Sequence, residues 1–279
     1  MESLQHRLAS ATLGETLADV TRQIQANPAN ADLRAAFVQL LCLSGNWARA
    51  QTQLQSWLAL SPQAQPTVNL LQQAIAGELQ RDAVLRGQAD PVLPGSAWHW
   101  CDTLLAALQA ALQAETAGDV ARGSTLRAEA LELAAANPGT ATQQDQPTAF
   151  SWLMDGDSRF GPVCEVISQG RYYWIPFAAI REMQFQAPAS VTDLVWRHTR
   201  VQLVDGSEQV CQIPARYPLL AASDERFLRA SVTEWQPLGE DPDQFIGQGQ
   251  KMWLSDSAEF SLLSLQQVAF DSVESADEP

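Results

Sequence analysis

Acidic and basic side chains gather at two places in the second half of the sequence. Asp155, Asp157 and Arg159 lie close together, and Arg216 is followed directly by Tyr217. If the fold joined these two groups in one pocket, they could form a carboxylate-based enzyme site or a small-molecule site. Carboxylates beside an arginine are more often structural, so we expect Asp155 or Asp157 to fix a tight turn or to pair with Arg159.

Motifs for metal or cofactor chemistry do not occur in the sequence. The segment that starts at Asp155 begins like a calcium-binding loop, but its twelfth position is Val166 instead of a glutamate. His6, His99 and His198 lie far apart, and the four cysteines have no metal-binding spacing. Phosphate-binding, dinucleotide-binding and serine-hydrolase motifs are also missing from the sequence. We therefore predict no metal, no cofactor and no enzymatic activity.

The chain is strongly acidic. Its 279 residues include 32 acidic and 17 basic side chains, which gives a net charge of −15, and Lys251 is the single lysine. Because an acidic surface repels phosphate groups, we expect neither nucleic-acid binding nor adhesion to anionic lipid.

The sequence favours a cytoplasmic protein. Its first residues lack the apolar core of a signal peptide. The longest aliphatic run covers residues 104–108, far short of the ~20 residues that cross a bilayer, so we expect no membrane insertion. The widely spaced cysteines are typical of reduced thiols in a protein core.

The composition changes near Pro147. The first 147 residues hold 30 alanines and 5 aromatic residues, whereas the rest hold 12 alanines and 16 aromatic residues. Alanine favours helices and aromatic residues favour sheets. We therefore predict an α+β protein of two domains, all-α over residues 1–138 and β-rich over residues 150–270. Residues 139–149 are rich in Pro, Gly, Thr and Gln and are interpreted as a linker, and the acidic residues 271–279 as a disordered tail.

Proline spacing in the first half predicts a tetratricopeptide-like superhelix. Pro28 and Pro62 each end a predicted helix, and the 34 residues between them match the period of that repeat. A plain helical bundle is the alternative. In either arrangement we expect Phe37, Leu41 and Leu54 in the core.

Other local patterns predict a further helix and the character of the second half. The predicted helix over residues 67–86 carries Leu71, Ile75 and Leu79 on one face. Glycine-containing turns at residues 168–170 and 205–207 predict two β-hairpins, so the second half is expected to form an antiparallel sheet or a partly open barrel.

Several longer motifs together resemble one protein family. Residues 33–54 look like the opening of the ImpE family, which is also called TagJ or SciE. Residues 150–166, 170–177, 193–196, 213–218 and 233–235 follow in the order found in that family. Ten motif residues are expected to be structural or to serve recognition: Trp152, Asp155, Asp157, Arg159, Glu165, Tyr172, Trp174, Arg216, Tyr217 and Trp235.

The resemblance implies a non-enzymatic, cytoplasmic accessory protein of bacterial type VI secretion systems. It also implies two partners, which are the N-terminal helix of the small sheath subunit (TssB type) and the ClpV-type ATPase that recycles contracted sheath. We expect the helical half to hold the partner helix in an apolar groove, with Trp47, Trp57 and Trp98 as anchors and the acidic β-rich half steering or closing it. A generic peptide-binding scaffold or chaperone, and a carboxylate-based enzyme or small-molecule binder, are the alternatives.

Overall fold

The first half of the chain is helical. The computed structural model describes residues 4–93, 102–220 and 223–271. Seven helices cover the first half: α1 (Leu4–Ser10), α2 (Leu13–Ala26), α3 (Ala31–Leu43), α4 (Trp47–Leu60), α5 (Gln65–Leu85), α6 (Asp102–Thr116) and α7 (Val120–Leu133).

Local capping residues set the starts of these helices. Asn30 begins α3 by accepting the Leu33 N–H at 3.0 Å, and Asp119 begins α7 by accepting the Arg122 N–H. Such side chains satisfy N–H groups that have no partner within the helix. These signals lie within a few residues of each helix boundary, so they can be read from the local sequence.

In the described part of the second half, the structure has thirteen strands and one short α-helix. They are β1 (Gly139–Gln143), β2 (Gln146–Phe150), β3 (Leu153–Asp155), β4 (Val163–Ser168), β5 (Arg171–Pro176), β6 (Ile180–Phe185), β7 (Trp196–Leu203), β8 (Glu208–Pro214), α8 (Glu225–Leu228), β9 (Thr233–Pro237), β10 (Phe245–Gly249), β11 (Met252–Ser255), β12 (Glu259–Ser261) and β13 (Leu265–Phe270). The bounds and pairing of β4 with β5 and of β7 with β8 confirm the two predicted hairpins.

Eight of these strands form one open antiparallel sheet. Their order is β2-β1-β13-β6-β7-β8-β4-β5, so β2 and β5 are the edges and β13 lies between β1 and β6. A three-stranded sheet (β12-β11-β3) and a two-stranded sheet (β10-β9) accompany it. The second half is therefore an antiparallel sheet structure, and the α+β class is confirmed.

The segment predicted as a linker is part of the large sheet. Residues 139–149 contain β1 and most of β2, joined by Gln144 and Asp145 with φ values of 49° and 61°. Two consecutive residues with positive φ match the twist of a two-residue hairpin. Pro147 occupies the edge strand β2, where a missing N–H costs nothing in the ladder. The predicted tail lies, apart from Asp271, outside the described residues.

The helical half packs directly against the sheet half. Helix α5 contacts β4 and β5, and α3 contacts the short 3-10 turn Val191–Leu194. Gly77 on α5 permits this approach, because a Cβ there would lie 2.8 Å from the Ile167 Cγ1 atom. One continuous hydrophobic core runs through both halves and includes Phe37, Leu41 and Leu54, as predicted.

Candidate functional site

A buried ionic network lies where α5 meets the sheet half. Its centre is Lys251, whose ammonium group is 2.6 Å from the Asp155 Oδ2 atom and 2.7 Å from the Glu165 Oε2 atom. The three residues are each about 1% exposed. Lys251 directly precedes β11, Asp155 ends β3 and Glu165 lies within β4, so three separate strands converge on one charge.

Glu165 connects this network to the helical half. Arg81 of α5 donates to both Glu165 carboxylate oxygens, at 2.6 and 2.8 Å, and the Tyr172 hydroxyl donates at 2.6 Å. Burial alone would raise the pKa of Glu165, but Arg81 and Lys251 outweigh burial and lower it to about 2. Trp174 donates its indole N–H to the Tyr172 hydroxyl, which leaves that hydroxyl fully paired.

At Asp155, in contrast to Glu165, the effect of burial on the pKa exceeds that of the neighbouring cation. Burial raises its pKa to about 6, although the Lys251 charge acts to lower it. The Tyr217 hydroxyl lies 3.1 Å from the Asp155 Oδ1 atom, and burial raises the pKa of that tyrosine far above its usual range. Lys251 also keeps a raised pKa, because Asp155 and Glu165 together outweigh the burial that disfavours its ammonium form.

Asp157 and Arg159 form the tight turn predicted from the sequence. Arg159 donates to Asp157 through its side chain at 2.9 and 2.6 Å and through its backbone N–H at 3.0 Å. Asp157 also accepts the Gly247 N–H at 3.0 Å, and its own N–H donates to Asp155. Asp157 therefore pairs with Arg159 and fixes the turn, whereas Asp155 accepts the Asp157 N–H and pairs with Lys251.

Arg216 lies next to this network but serves another purpose. Its guanidinium donates to the Cys42 and Leu43 carbonyls at 3.0 and 2.6 Å and to the Leu228 carbonyl. Cys42 and Leu43 end α3, so this cation caps the negative end of that helix. Burial lowers the pKa of Arg216 to about 10.

The remaining motif residues divide into core and surface positions. Tyr172 and Trp174 are fully buried, whereas Trp152 and Trp235 are 37% and 36% exposed. The centroid of the Trp235 ring lies 5.6 Å from that of the Tyr217 ring, with the planes tilted by 60°, and the indole covers Gly156, where a Cβ would meet it. Of the motif residues, Trp152 and Trp235 therefore offer the largest apolar surfaces to a partner.

The charged groups of the network are paired within the protein. A cavity of about 220 Å³ reaches its edge and is lined by Trp47, Arg81, Arg216 and Tyr217, among others. Both arginines already donate to the protein, as described above, and the carboxylates of Asp155 and Glu165 are buried behind them. The structure thus joins the two sequence clusters through the hydrogen bond from Tyr217 to Asp155. The carboxylates and guanidinium groups of both clusters already have partners within the protein.

The predicted anchor tryptophans lie in different surroundings, and Trp47 lines the cavity of about 220 Å³ described above. Trp47 is half-buried, and its ring packs 5.6 Å from the Trp196 ring of β7. Trp57 is half-buried on α4 and contacts the core, and Trp98 lies outside the described residues. The sheet half covers part of α3 and α5. The anchor role of the three tryptophans stays a prediction.

An apolar depression instead lies where the chain passes from α7 to β1. One cavity of about 510 Å³ is lined by residues 135–138 and by Ile180, Val204 and Phe270, among others. A second, of about 340 Å³, is lined by residues 134–137 together with Leu131, Trp152 and other residues. Both cavities share Ala135, Ala136 and Asn137, and we call this surface, made of the residues that line the two cavities, the junction trough.

The sequence analysis missed Arg81 and Glu78 and gave Lys251 no role in a site. Glu78 accepts the Trp196 indole N–H at 3.0 Å and lies 3.4 Å from the Arg81 guanidinium, which completes the inner face of α5. One signal was available, because a single lysine in a chain of net charge −15 is unusual. The positions of Arg81 and Glu78 on α5 carried no such signal.

Two further classes of site can be addressed within the described ranges. No helix there has the length and apolarity needed to cross a bilayer. Across residues 4–93, 102–220 and 223–271, no three His, Cys, Asp or Glu side chains are grouped so that they could hold a metal ion.

Comparisons with known proteins give the family. The family model described as ImpE protein matches residues 147–269. A Pseudomonas aeruginosa protein named type VI secretion system accessory component TagJ is 35% identical over 265 residues, which are 95% of this chain and 89% of the relative. The chain belongs to the ImpE family.

The ImpE fold is also known from a solved structure. The crystal structure of protein VPA1032 from Vibrio parahaemolyticus matches with a TM-score of 0.85 and 24% sequence identity, covering 96% of this chain and 97% of that one. The helical half and the sheet half therefore recur together in that protein. The resemblance inferred from the sequence motifs is confirmed.

Proposed function

We propose that this ImpE-family protein is a non-enzymatic, cytoplasmic accessory component of a type VI secretion apparatus, where it acts as an adaptor for the contractile sheath. The 35% identity to the Pseudomonas aeruginosa TagJ protein over 95% of the chain carries this proposal. Function depends on sites instead of folds, so a sequence likeness over nearly the whole length supports it better than the fold match alone.

The proposed partner is the N-terminal helix of the small sheath subunit of the TssB type. Helices bind to protein surfaces through apolar anchors that recur every three or four residues. The net charge of −15 favours a helix that carries lysines and arginines, since opposite charges speed encounter and set orientation.

A binding role also agrees with the state of the buried charges. A catalytic carboxylate must reach a substrate, whereas Asp155, Asp157 and Glu165 are at most 1% exposed and are paired with Lys251, Arg159 and Arg81. Their hydrogen bonds connect α5 to the sheet half, which is what a rigid adaptor requires.

A titration tests the sheath partner. A fluorescein-labelled peptide with the sequence of the sheath subunit's N-terminal helix should bind the full-length protein saturably, and binding should weaken as salt rises. Fluorescence anisotropy measures both effects. The matched control is a peptide of the same composition whose apolar positions are scrambled so that they no longer share one helical face. Equal binding of the two peptides, or none, would contradict this partner.

The alternative, a generic peptide-binding scaffold, has its own test. If the sheath subunit is the partner, affinity purification of the tagged protein from cells that lack the sheath genes should recover no specific partner. A stoichiometric partner from such cells would support the scaffold role instead.

We propose the ClpV-type ATPase as a second partner. An adaptor that links the sheath to this ATPase should form a ternary complex with both, which size-exclusion chromatography can detect. Mutually exclusive binding of the sheath peptide and the ATPase would contradict a linking role.

A further inference from the structure

The junction trough exists because of three small residues. Helix α7 ends at Leu133, and Ala134 is extended, with φ −69° and ψ 125°. Ala134, Ala135 and Ala136 carry no side-chain atoms beyond Cβ, so they cannot fill the space between the end of α7 and the neighbouring strands. Ala135 and Ala136 are themselves exposed, which leaves the floor of the trough open to a partner.

The floor of the trough is held in place from both sides. The Asn137 side chain is buried; it donates to the Leu153 carbonyl at 2.8 Å and accepts the Leu153 N–H at 2.7 Å. The Pro138 carbonyl accepts the Asp271 N–H at 2.8 Å. These bonds fix the C-terminal end of the floor, and α7 directly precedes its other end, so a partner would have little backbone to order on binding.

Large apolar side chains stand exposed around this floor. Leu131, Trp152 and Val204 are 50%, 37% and 48% exposed. A narrow crevice that includes Leu133 and Pro162 shares residues with both cavities, so the two lobes are neighbouring parts of one surface. Contiguous exposed apolar surface of this kind is characteristic of interaction sites.

Acidic side chains lie in the trough or beside it. Glu132 is exposed on α7 between Leu131 and Leu133, and Asp271 lines the larger lobe. Asp256 accepts the N–H of Ser151, the residue before Trp152, and so lies beside the smaller lobe. Arg181 lines the larger lobe as the basic member of this set. An occupant with basic side chains flanking an apolar ridge matches this distribution.

We propose that the junction trough is the docking surface for an amphipathic helix whose apolar ridge is flanked by lysine and arginine, with one anchor in each lobe. This inference rests on the proposed function, because it places the adaptor's partner helix. It also explains why the helical half can be closed against the sheet half without loss of a binding surface.

Charge insertion into the two lobes tests the location. Leu131→Glu and Val204→Glu each place a carboxylate on an exposed wall, so neither should disturb folding. Each should weaken binding of the labelled sheath-helix peptide by at least about tenfold. The matched controls are Leu60→Glu on α4 and Val210→Glu on β8, at sites that are 39% and 76% exposed and do not line the trough. They should leave the affinity within about twofold of wild type.

A charge reversal tests the rim. Glu132→Lys should weaken peptide binding by a few-fold at low salt and little at high salt, since it removes attraction without removing apolar contact. Loss of affinity that is independent of salt would contradict the assigned charge complementarity.

Four results would overturn the location. Wild-type peptide affinity in both trough variants would leave the sheath partner valid but place its site elsewhere, and loss of affinity in Leu60→Glu alone would place it on α4. A wild-type dimer that becomes monomeric with Leu131→Glu in sedimentation velocity would assign the trough to a second copy of the chain. Much tighter peptide binding by a chain ending at Asp271 would assign it to the protein's own last residues. If the wild-type protein binds no peptide at all, the proposed function itself fails.

Discussion

Lys251 forms ion pairs with two buried carboxylates, which would otherwise repel each other. Asp155 and Glu165 both lie within 2.7 Å of its ammonium group, and that group also sits over the Phe160 and Tyr217 rings at 4.7 and 4.6 Å. A buried ion pair contributes little net stability when complete, but it becomes costly when one partner is removed. The network is therefore sensitive at Lys251, which Asp155 and Glu165 share.

Replacement of this lysine should strongly destabilise the protein. Lys251→Met keeps the length of the side chain but leaves Asp155 without a cation partner, and we expect a loss of about 3–5 kcal/mol in the free energy of unfolding. Urea unfolding followed by tryptophan fluorescence measures it. As a control, Arg22→Met removes a surface ion pair from a side chain that is 76% exposed and should cost less than about 1 kcal/mol. Similar small losses in both variants would contradict the structural role of Lys251.

The raised pKa of Asp155 leads to a prediction about how stability depends on pH. Burial raises this pKa from 3.8 to about 6, so between these values the folded protein holds a proton that the unfolded chain releases. This group's contribution to the free energy of unfolding must then fall as pH rises through that window. Asparagine does not titrate, so the stability of Asp155→Asn relative to wild type should improve between pH 5 and pH 7.5.

Urea unfolding of both proteins at the two pH values checks this expectation. The exposed Asp224 is a useful control, because the Arg226 backbone N–H lowers its pKa and the sign of its contribution is opposite. A relative gain by wild type over Asp155→Asn as pH rises would show that the Lys251 charge dominates over burial.

Only the local part of this chemistry could be predicted from sequence. Asp157 and Arg159 are two residues apart, and their pairing followed from turn chemistry. The partners of Lys251 lie 96 and 86 residues earlier in the chain, so their contact depends on the order of the strands. No spacing rule links residues that meet only after the sheet has formed.

At the scale of elements, α5 determines how closely the two halves approach. Its buried face contains Gly77, Glu78 and Arg81, whereas Leu79 is 42% exposed. Leu79 follows Leu71 and Ile75 at the predicted helical spacing, but those two side chains are buried and Leu79 is not. The sheet half presents Glu165 and the Trp196 indole to this helix, so charged side chains occupy positions that an isolated amphipathic helix would give to leucine.

A methyl group on the contact face of α5 should separate these elements. Gly77→Ala would place its Cβ against Ile167, and we expect a loss of about 1–3 kcal/mol in the free energy of unfolding, partly offset by the better helix propensity of alanine. Gly14→Ala on α2 is the matched control, because nothing lies within 4 Å of its Cβ, and it should be neutral or stabilising.

A double-mutant cycle with Ile167→Ala isolates the clash. If the two side chains compete for the same space, the double variant should be more stable than the sum of the single effects by at least about 0.5 kcal/mol. Strict additivity would locate the effect of Gly77→Ala elsewhere.

The elements themselves were the most predictable level. Capping residues such as Asn30 and Asp119 and the positive φ of Gly170 are local signals, and the corresponding helices and hairpin were anticipated. Residues 139–149 were misassigned because their Pro, Gly, Thr and Gln are equally typical of linkers. What makes them strands is the partner β13, more than a hundred residues further along the chain.

At the scale of the whole molecule, residues of the sheet half cap the ends of helices in the helical half. Glu225 accepts the Leu13 N–H at the start of α2, at 2.8 Å, and Arg229 donates to the Leu8 carbonyl at the end of α1. With Arg216 at the end of α3, three helices of the first half are capped by residues of the second. Unsatisfied helix ends are costly when buried, so neither half presents a finished surface alone.

We therefore predict a single cooperative unfolding transition. Urea unfolding followed by far-UV circular dichroism, which reports on helices, should coincide with unfolding followed by the fluorescence of the sheet tryptophans. Residues 1–138 produced alone should not show a native-like transition. Two separated transitions, or independent folding of that segment, would contradict the dependence of these helix ends on the sheet half.

The position of a binding surface was the least predictable feature. Stacked helical pairs were expected to leave a groove, but whether a groove stays open depends on what the remaining chain does. The junction trough has no sequence motif, since its floor is three alanines and its walls come from α7 and from strands far apart in sequence.

The place of β13 in the sheet has a consequence for biosynthesis. This strand is the last of the described chain, yet it pairs with β1 on one side and β6 on the other. A ribosome must therefore synthesise the chain as far as residue 270 before those two neighbours lose their bare edges. Until then the nascent molecule carries two unprotected strand edges, and a premature stop before residue 265 would make that exposure permanent and favour aggregation.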